Sequence, residues 1–92
     1  MKILDIIITD PEGLHARPAS RLVSLCHNYD ADIAINFGGM RANGKNITEV
    51  LALGAEKDDR IEIEISGNDA SAAEHALRDL FDGLNSGMEK ME

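Results

Sequence analysis

From Arg60 to Ser66 the chain reads RIEIEIS, an unbroken alternation with Ile61, Ile63 and Ile65 on one side and Glu62, Glu64 and Ser66 on the other. A period of two is the period of a β-strand, and faces of such different chemistry belong to a sheet that is packed on one side and wet on the other. Gly67 ends the run. The rest of the chain must supply partner strands and an apolar layer for the isoleucine face. Near the amino terminus, ILDIII places Leu4, Ile6 and Ile8 on one side and reads as a strand. In ADIAINF, Ile33, Ile35 and Phe37 alternate with Asp32, Ala34 and Asn36. Gly38-Gly39 then signals a hairpin into a short strand around Met40 to Asn43.

Three helices supply the covering layer. Ala19, Leu22, Val23 and Cys26 recur at i, i+3, i+4 and i+7, which predicts a helix from near Ala16 to about Asn28. Gly13 turns the chain before it, and Pro18, which has no amide proton, suits its first turn. In NITEVLALG, Asn46 is a good N-cap with Glu49 three residues on, resembling a capping box; Ile47, Val50 and Leu51 follow, and Gly54 stops the helix. After an Asp58-Asp59 turn and the RIEIEIS strand, Asn68 or Asp69 can cap a longer helix whose Ala73, Leu77, Leu80, Phe81 and Leu84 share a face, with a frayed tail from Gly87. The order is βαββαβα. It predicts an α+β open-faced β-sandwich: a four-stranded antiparallel sheet with three helices on one face, forming one domain over residues 1–92 without repeat or linker.

Composition narrows the setting. Lys and Arg number 9 against 17 Asp and Glu, and the net charge of -8 opposes general attraction to nucleic acid or an anionic membrane. MKILDIIITD is broken by Asp5 and too short for a membrane span, Cys26 has no second cysteine to pair with, and a cytoplasmic protein without direct membrane insertion is expected. Cys26-His27, His15 and His75 show no zinc spacing, so no metal site is predicted. There is no Walker loop for a nucleotide, and no cofactor is expected.

The chemistry concentrates in GLHARPAS, residues 13–20. His15 lies at the mouth of the first helix, where unpaired backbone amides and the positive end of the dipole favour an anion, and Arg17 adds a fixed charge. An imidazole in a phosphate site can do more than bind, because a neutral ring nitrogen is a nucleophile able to accept a phosphoryl group. The same three residues also read as a solvated loop histidine, a solvated charge and helix punctuation.

The run Gly13-Leu14-His15-Ala16-Arg17-Pro18-Ala19 resembles the phosphorylation signature of the histidine-containing phosphocarrier (HPr) proteins of the bacterial phosphoenolpyruvate-dependent phosphotransferase system. Chain length, element order, Tyr29-Asp30-Ala31-Asp32 leading into a strand and Leu53-Gly54 closing the second helix are similar to that family as well. The resemblance implies an open-faced β-sandwich and a phosphoryl relay. Enzyme I, charged by phosphoenolpyruvate, would place a phosphoryl group on Nδ1 of His15, and the phosphohistidine would pass it to a histidine of an enzyme IIA domain. By the family's pattern Arg17 would neutralise phosphoryl oxygens, with the backbone N–H groups of Ala16 and Arg17 as further donors. Both partners would dock on the first two helices, which offer Leu14, Arg17, Ser20, Arg21 and Ser24 with Ile47, Thr48 and Leu51 as an apolar patch; Val50 is assigned to the core. Arg21 reads equally as part of a steering ring and as a solvated helix charge. A monomer is expected.

One position departs from the pattern. Many Gram-positive members begin the second helix with a serine that a dedicated kinase phosphorylates; Asn46 stands there in this chain. Asparagine keeps the cap and removes the hydroxyl. Three functions fit the sequence: a carrier in sugar uptake, a nitrogen-type carrier that regulates its partners, and an HPr-like binding module that transfers nothing. Intact His15 and Arg17 argue against the last.

Overall fold

A computed structural model describes residues 1–85, with side chains up to Asp82. The four strands are β1 (Lys2–Ile7), β2 (Asp32–Phe37), β3 (Met40–Asn43) and β4 (Arg60–Ser66); the helices are α1 (Ala16–Cys26), α2 (Ile47–Ala52) and α3 (Ala70–Asn85). Spatial order is β1-β4-β2-β3, with every neighbouring pair antiparallel. The last strand in sequence therefore fills the gap between β1 and β2, and RIEIEIS sits near the middle of the sheet. That position explains its strictness. Leu4 lies opposite Ile63, which lies opposite Ile35, while Asp5 lies opposite Glu62, which lies opposite Asn36. A slip of one residue would turn the isoleucines into water.

The core forms between the isoleucine face and the helices. Leu4, Ile33, Ile35, Ile61, Ile63 and Ile65 from the sheet are buried against Ala19, Leu22 and Cys26 of α1, Val50 of α2 and Ala73, Leu77 and Phe81 of α3. Each fully buried aliphatic side chain contributes about 1.5–3 kcal/mol. The far side of the sheet is open: Ile3 and Ile7 are half exposed, and the polar side chains bind one another. Asn36 Nδ2 donates to Glu64 Oε2 at 2.7 Å and to Glu62 Oε1 at 3.3 Å, and Arg41 Nη1 meets Glu64 Oε1 at 3.1 Å. The Arg41 guanidinium, helped by the Asn36 amide, holds the Glu64 carboxyl below its ordinary value of 4.5.

The local signals act as expected, with two refinements. Gly38 and Gly39 both take left-handed φ, +58° and +82°, as a tight hairpin requires. Asn46 caps α2 by accepting the Glu49 amide at 3.1 Å. The reciprocal half of the capping box does not form: Glu49 Oε1 reaches past Asn46 to the Asn43 amide at 2.8 Å, while the Asn46 amide goes to the Asn43 carbonyl. At the start of α3, Asp69 Oδ2 accepts the Asp30 amide at 2.7 Å, which ties this helix to the entrance of β2. Leu84's burial and the tail from Gly87 lie outside the described residues.

Candidate functional site

The site is made where the chain leaves β1 and turns into α1. Asp10 starts the turn, its side chain accepting the Glu12 amide at 2.8 Å and its carbonyl the Gly13 amide at 2.9 Å. Gly13 then takes φ +66°, and the Leu14 amide donates to the Ala55 carbonyl at 2.9 Å. His15 follows in extended backbone, half-buried, as the N-cap residue, without a side-chain capping bond. The ring is thus left for other uses.

Ala16 opens the helix with φ +48°, a left-handed conformation that costs an L-residue about 1–2 kcal/mol. Sequence signals give no hint of it, because alanine is a helix former. Strain of this kind is held in place by its surroundings, and here the Leu14–Ala55 bond lies on one side and α1 on the other. The first amide to return to the helix ladder is that of Ala19, to the His15 carbonyl at 3.4 Å; Pro18 has none to give. The amides of Ala16 and Arg17 precede that point, at the positive end of the dipole.

The structure exposes the expected residues on α1 and α2, with one correction. Arg17, Ser20, Arg21 and Ser24 are exposed along one side of α1, and neither arginine has an ion-pair partner among the described residues. α2 packs beside α1 and exposes Ile47 at 39%, Leu51 at 38% and also Thr48, while Val50 is buried as assigned. Leu14 is not part of that surface. Its side chain is 1% exposed and belongs to the core, because the Leu14–Ala55 bond faces it inward and leaves the following residue to look outward. Leu14 anchors the loop from below.

Other chemistry-bearing residues are accounted for structurally. His27 Nε2 meets the Lys45 carbonyl at 2.8 Å, and Lys45 Nζ donates to the Tyr29 carbonyl at 2.9 Å, which ties the end of α1 to the start of α2. Burial pushes the Cys26 thiol up to about 11, with Lys45 acting in the opposite direction, so it stays protonated at neutral pH. Among the described residues no three His, Cys, Asp or Glu side chains meet to hold a metal, and no helix is long and apolar enough to cross a membrane.

Sequence reasoning missed Ala55 and Glu56. They pack against Gly13 from 42 and 43 residues further along the chain, and the only local sign is the glycine itself, which reads as a turn and not as a close approach.

With this geometry in hand, comparison with known proteins is specific. A family model described as "PTS HPr component phosphorylation site" matches residues 4–82. The curated phosphocarrier protein HPr of Mycoplasma pneumoniae is 30% identical over 79 residues, covering 85% of this chain and 90% of that protein. The crystal structure of HPr-C-His from Thermoanaerobacter tengcongensis superposes with a TM-score of 0.88 at 29% identity, covering 92% of this chain and 96% of that one. A phosphocarrier protein HPr from Bacillus anthracis gives 0.82 at 30% identity, covering 87% and 95%.

Proposed function

The chain belongs to the HPr family of phosphocarriers of the phosphotransferase system, and on that premise we propose that His15 accepts a phosphoryl group from enzyme I and hands it to an enzyme IIA domain in sugar uptake. In the first step the lone pair of His15 Nδ1 attacks phosphorus, the bond from phosphorus to its donor atom on enzyme I breaks, and that bond's electron pair leaves with the donor atom. The His15 proton stays on Nε2. In the second step a histidine of enzyme IIA repeats the attack, and His15 is the leaving group. No metal and no nucleotide enter either step.

The residues around His15 fit the charge that moves. A phosphoryl group brings its oxygens to the mouth of α1, where the Ala16 and Arg17 amides and the Arg17 guanidinium can donate. The observation that carries the reading is this half-exposed imidazole at an open helix end, beside an arginine with no ion-pair partner among the described residues. Ser20, Arg21, Ser24, Ile47, Thr48 and Leu51 form the docking surface on the adjoining helices, and the carrier works as a monomer so that two partners can meet the same ring in turn.

Relay in a defined mixture tests this. With enzyme I and labelled phosphoenolpyruvate the chain should take up label, and added enzyme IIA should discharge it. Label that never arrives, or that stays when enzyme IIA is added, contradicts the carrier role.

A further inference from the structure

The loop from Ile8 to His15 is fastened at both ends to one short segment, residues 55–59. At the near end the Ile8 amide donates to the Asp59 carbonyl at 2.9 Å, and the Asp58 amide returns to the Ile8 carbonyl. At the far end the Leu14 amide donates to the Ala55 carbonyl at 2.9 Å. The segment is itself braced: Asp59 Oδ2 accepts the Glu56 amide at 2.8 Å, and the Glu56 carbonyl accepts the Asp59 amide at 3.0 Å. Ala55 and Leu14 are both fully buried, so the junction does not open to water.

Gly13 is what lets the two segments close. A Cβ at this position would lie 2.7 Å from the Ala55 carbonyl oxygen and 2.7 Å from Glu56 Cα. Those are backbone atoms in a braced turn, so a side chain at residue 13 must lift the loop, and His15 is two residues further on. Gly38 offers a comparison within the same molecule. Its φ of +58° is close to the +66° of Gly13, but a Cβ there meets nothing within 4 Å.

We infer that Gly13 and Ala55 are positioning residues for phosphoryl transfer, holding His15 through the Leu14–Ala55 bond at a fixed place relative to the exit of α2. The inference rests on the proposed carrier function and adds to it. Leu51, on the docking face, is four residues before Ala55, so the segment that sets the imidazole is continuous with the helix that receives the partner. Docking and acceptor geometry then share one piece of backbone.

The test compares Gly13→Ala with Gly38→Ala. Both place an alanine at left-handed φ and lose stability for that reason, but only the first wedges the junction. For phosphorylation by enzyme I, Gly13→Ala should lower kcat by about ten-fold or more with KM within about two-fold of wild type, because a misplacement of 1 Å in a reacting group costs on the order of a hundred-fold. The His15 ring proton resonances should shift in Gly13→Ala and stay in place in Gly38→Ala. If Gly13→Ala does not fold, Ala55→Gly, which keeps the carbonyl but loosens its backbone, should show the same kcat loss at smaller size. The inference is overturned if kcat is unchanged, if the loss falls wholly on KM, or if Gly38→Ala loses as much. Failure of the carrier function looks different: wild type itself would take no phosphoryl group, while unmoved ring resonances in Gly13→Ala would separately refute the positioning role.

Discussion

Arg17 is exposed and its guanidinium has no ion-pair partner among the described residues, so the fold does not depend on that side chain. Arg17→Ala should therefore unfold within about 0.5 kcal/mol of wild type, the usual range for an exposed substitution. Transfer to enzyme IIA should slow by about ten-fold or more, the loss of one charge-assisted contact at the moment of transfer. Thermal unfolding together with the transfer rate at subsaturating partner decides it, and an unchanged rate removes Arg17 from the mechanism. At this scale the sequence was legible where a residue's meaning is local. His15, Arg17 and Pro18 stand where the helix start puts them. Leu14, expected on the docking face, is buried because its state is set from outside, by a carbonyl forty-one residues away; Ala16 opens α1 as expected, and its left-handed φ is held by packing that the local sequence does not carry.

Among the elements, α2 is the most exposed to test. It has only six residues, too short to stand without its cap and its packing. Asn46→Ala should cost about 1 kcal/mol in thermal unfolding, since it removes the acceptor of the Glu49 amide. Asn46→Asp keeps an oxygen there and suits the helix dipole, so stability should hold. Its new charge adjoins Ile47, however, and should slow phosphorylation by enzyme I most at low salt, where screening is weakest. An unaffected rate would move the docking surface away from this end of α2. The strands were readable almost residue by residue because a two-residue period with a wet face fixes which side chains point inward. The capping box was half readable: spacing identified Asn46 and Glu49, but Asn43, brought close by the end of β3, took the glutamate.

For the whole molecule, element order and face chemistry together led to the open-faced sandwich, yet strand order did not follow from periodicity. β4 lies between β1 and β2, and only the assembled sheet brings residues 55–59 against the His15 loop. The molecule then divides its labour by face. The net charge is -8, while Arg17 and Arg21 stand exposed on one side of α1, the helix that His15 caps. The proposed function depends on the His15 imidazole. The most direct measurement is to phosphorylate wild type, His15→Ala, His27→Ala and His75→Ala with enzyme I and labelled phosphoenolpyruvate, and to map the acid-labile label. One phosphoryl group on His15 is predicted in wild type, His27→Ala and His75→Ala, and none in His15→Ala; label on His27 or His75, or any uptake by His15→Ala, would contradict it.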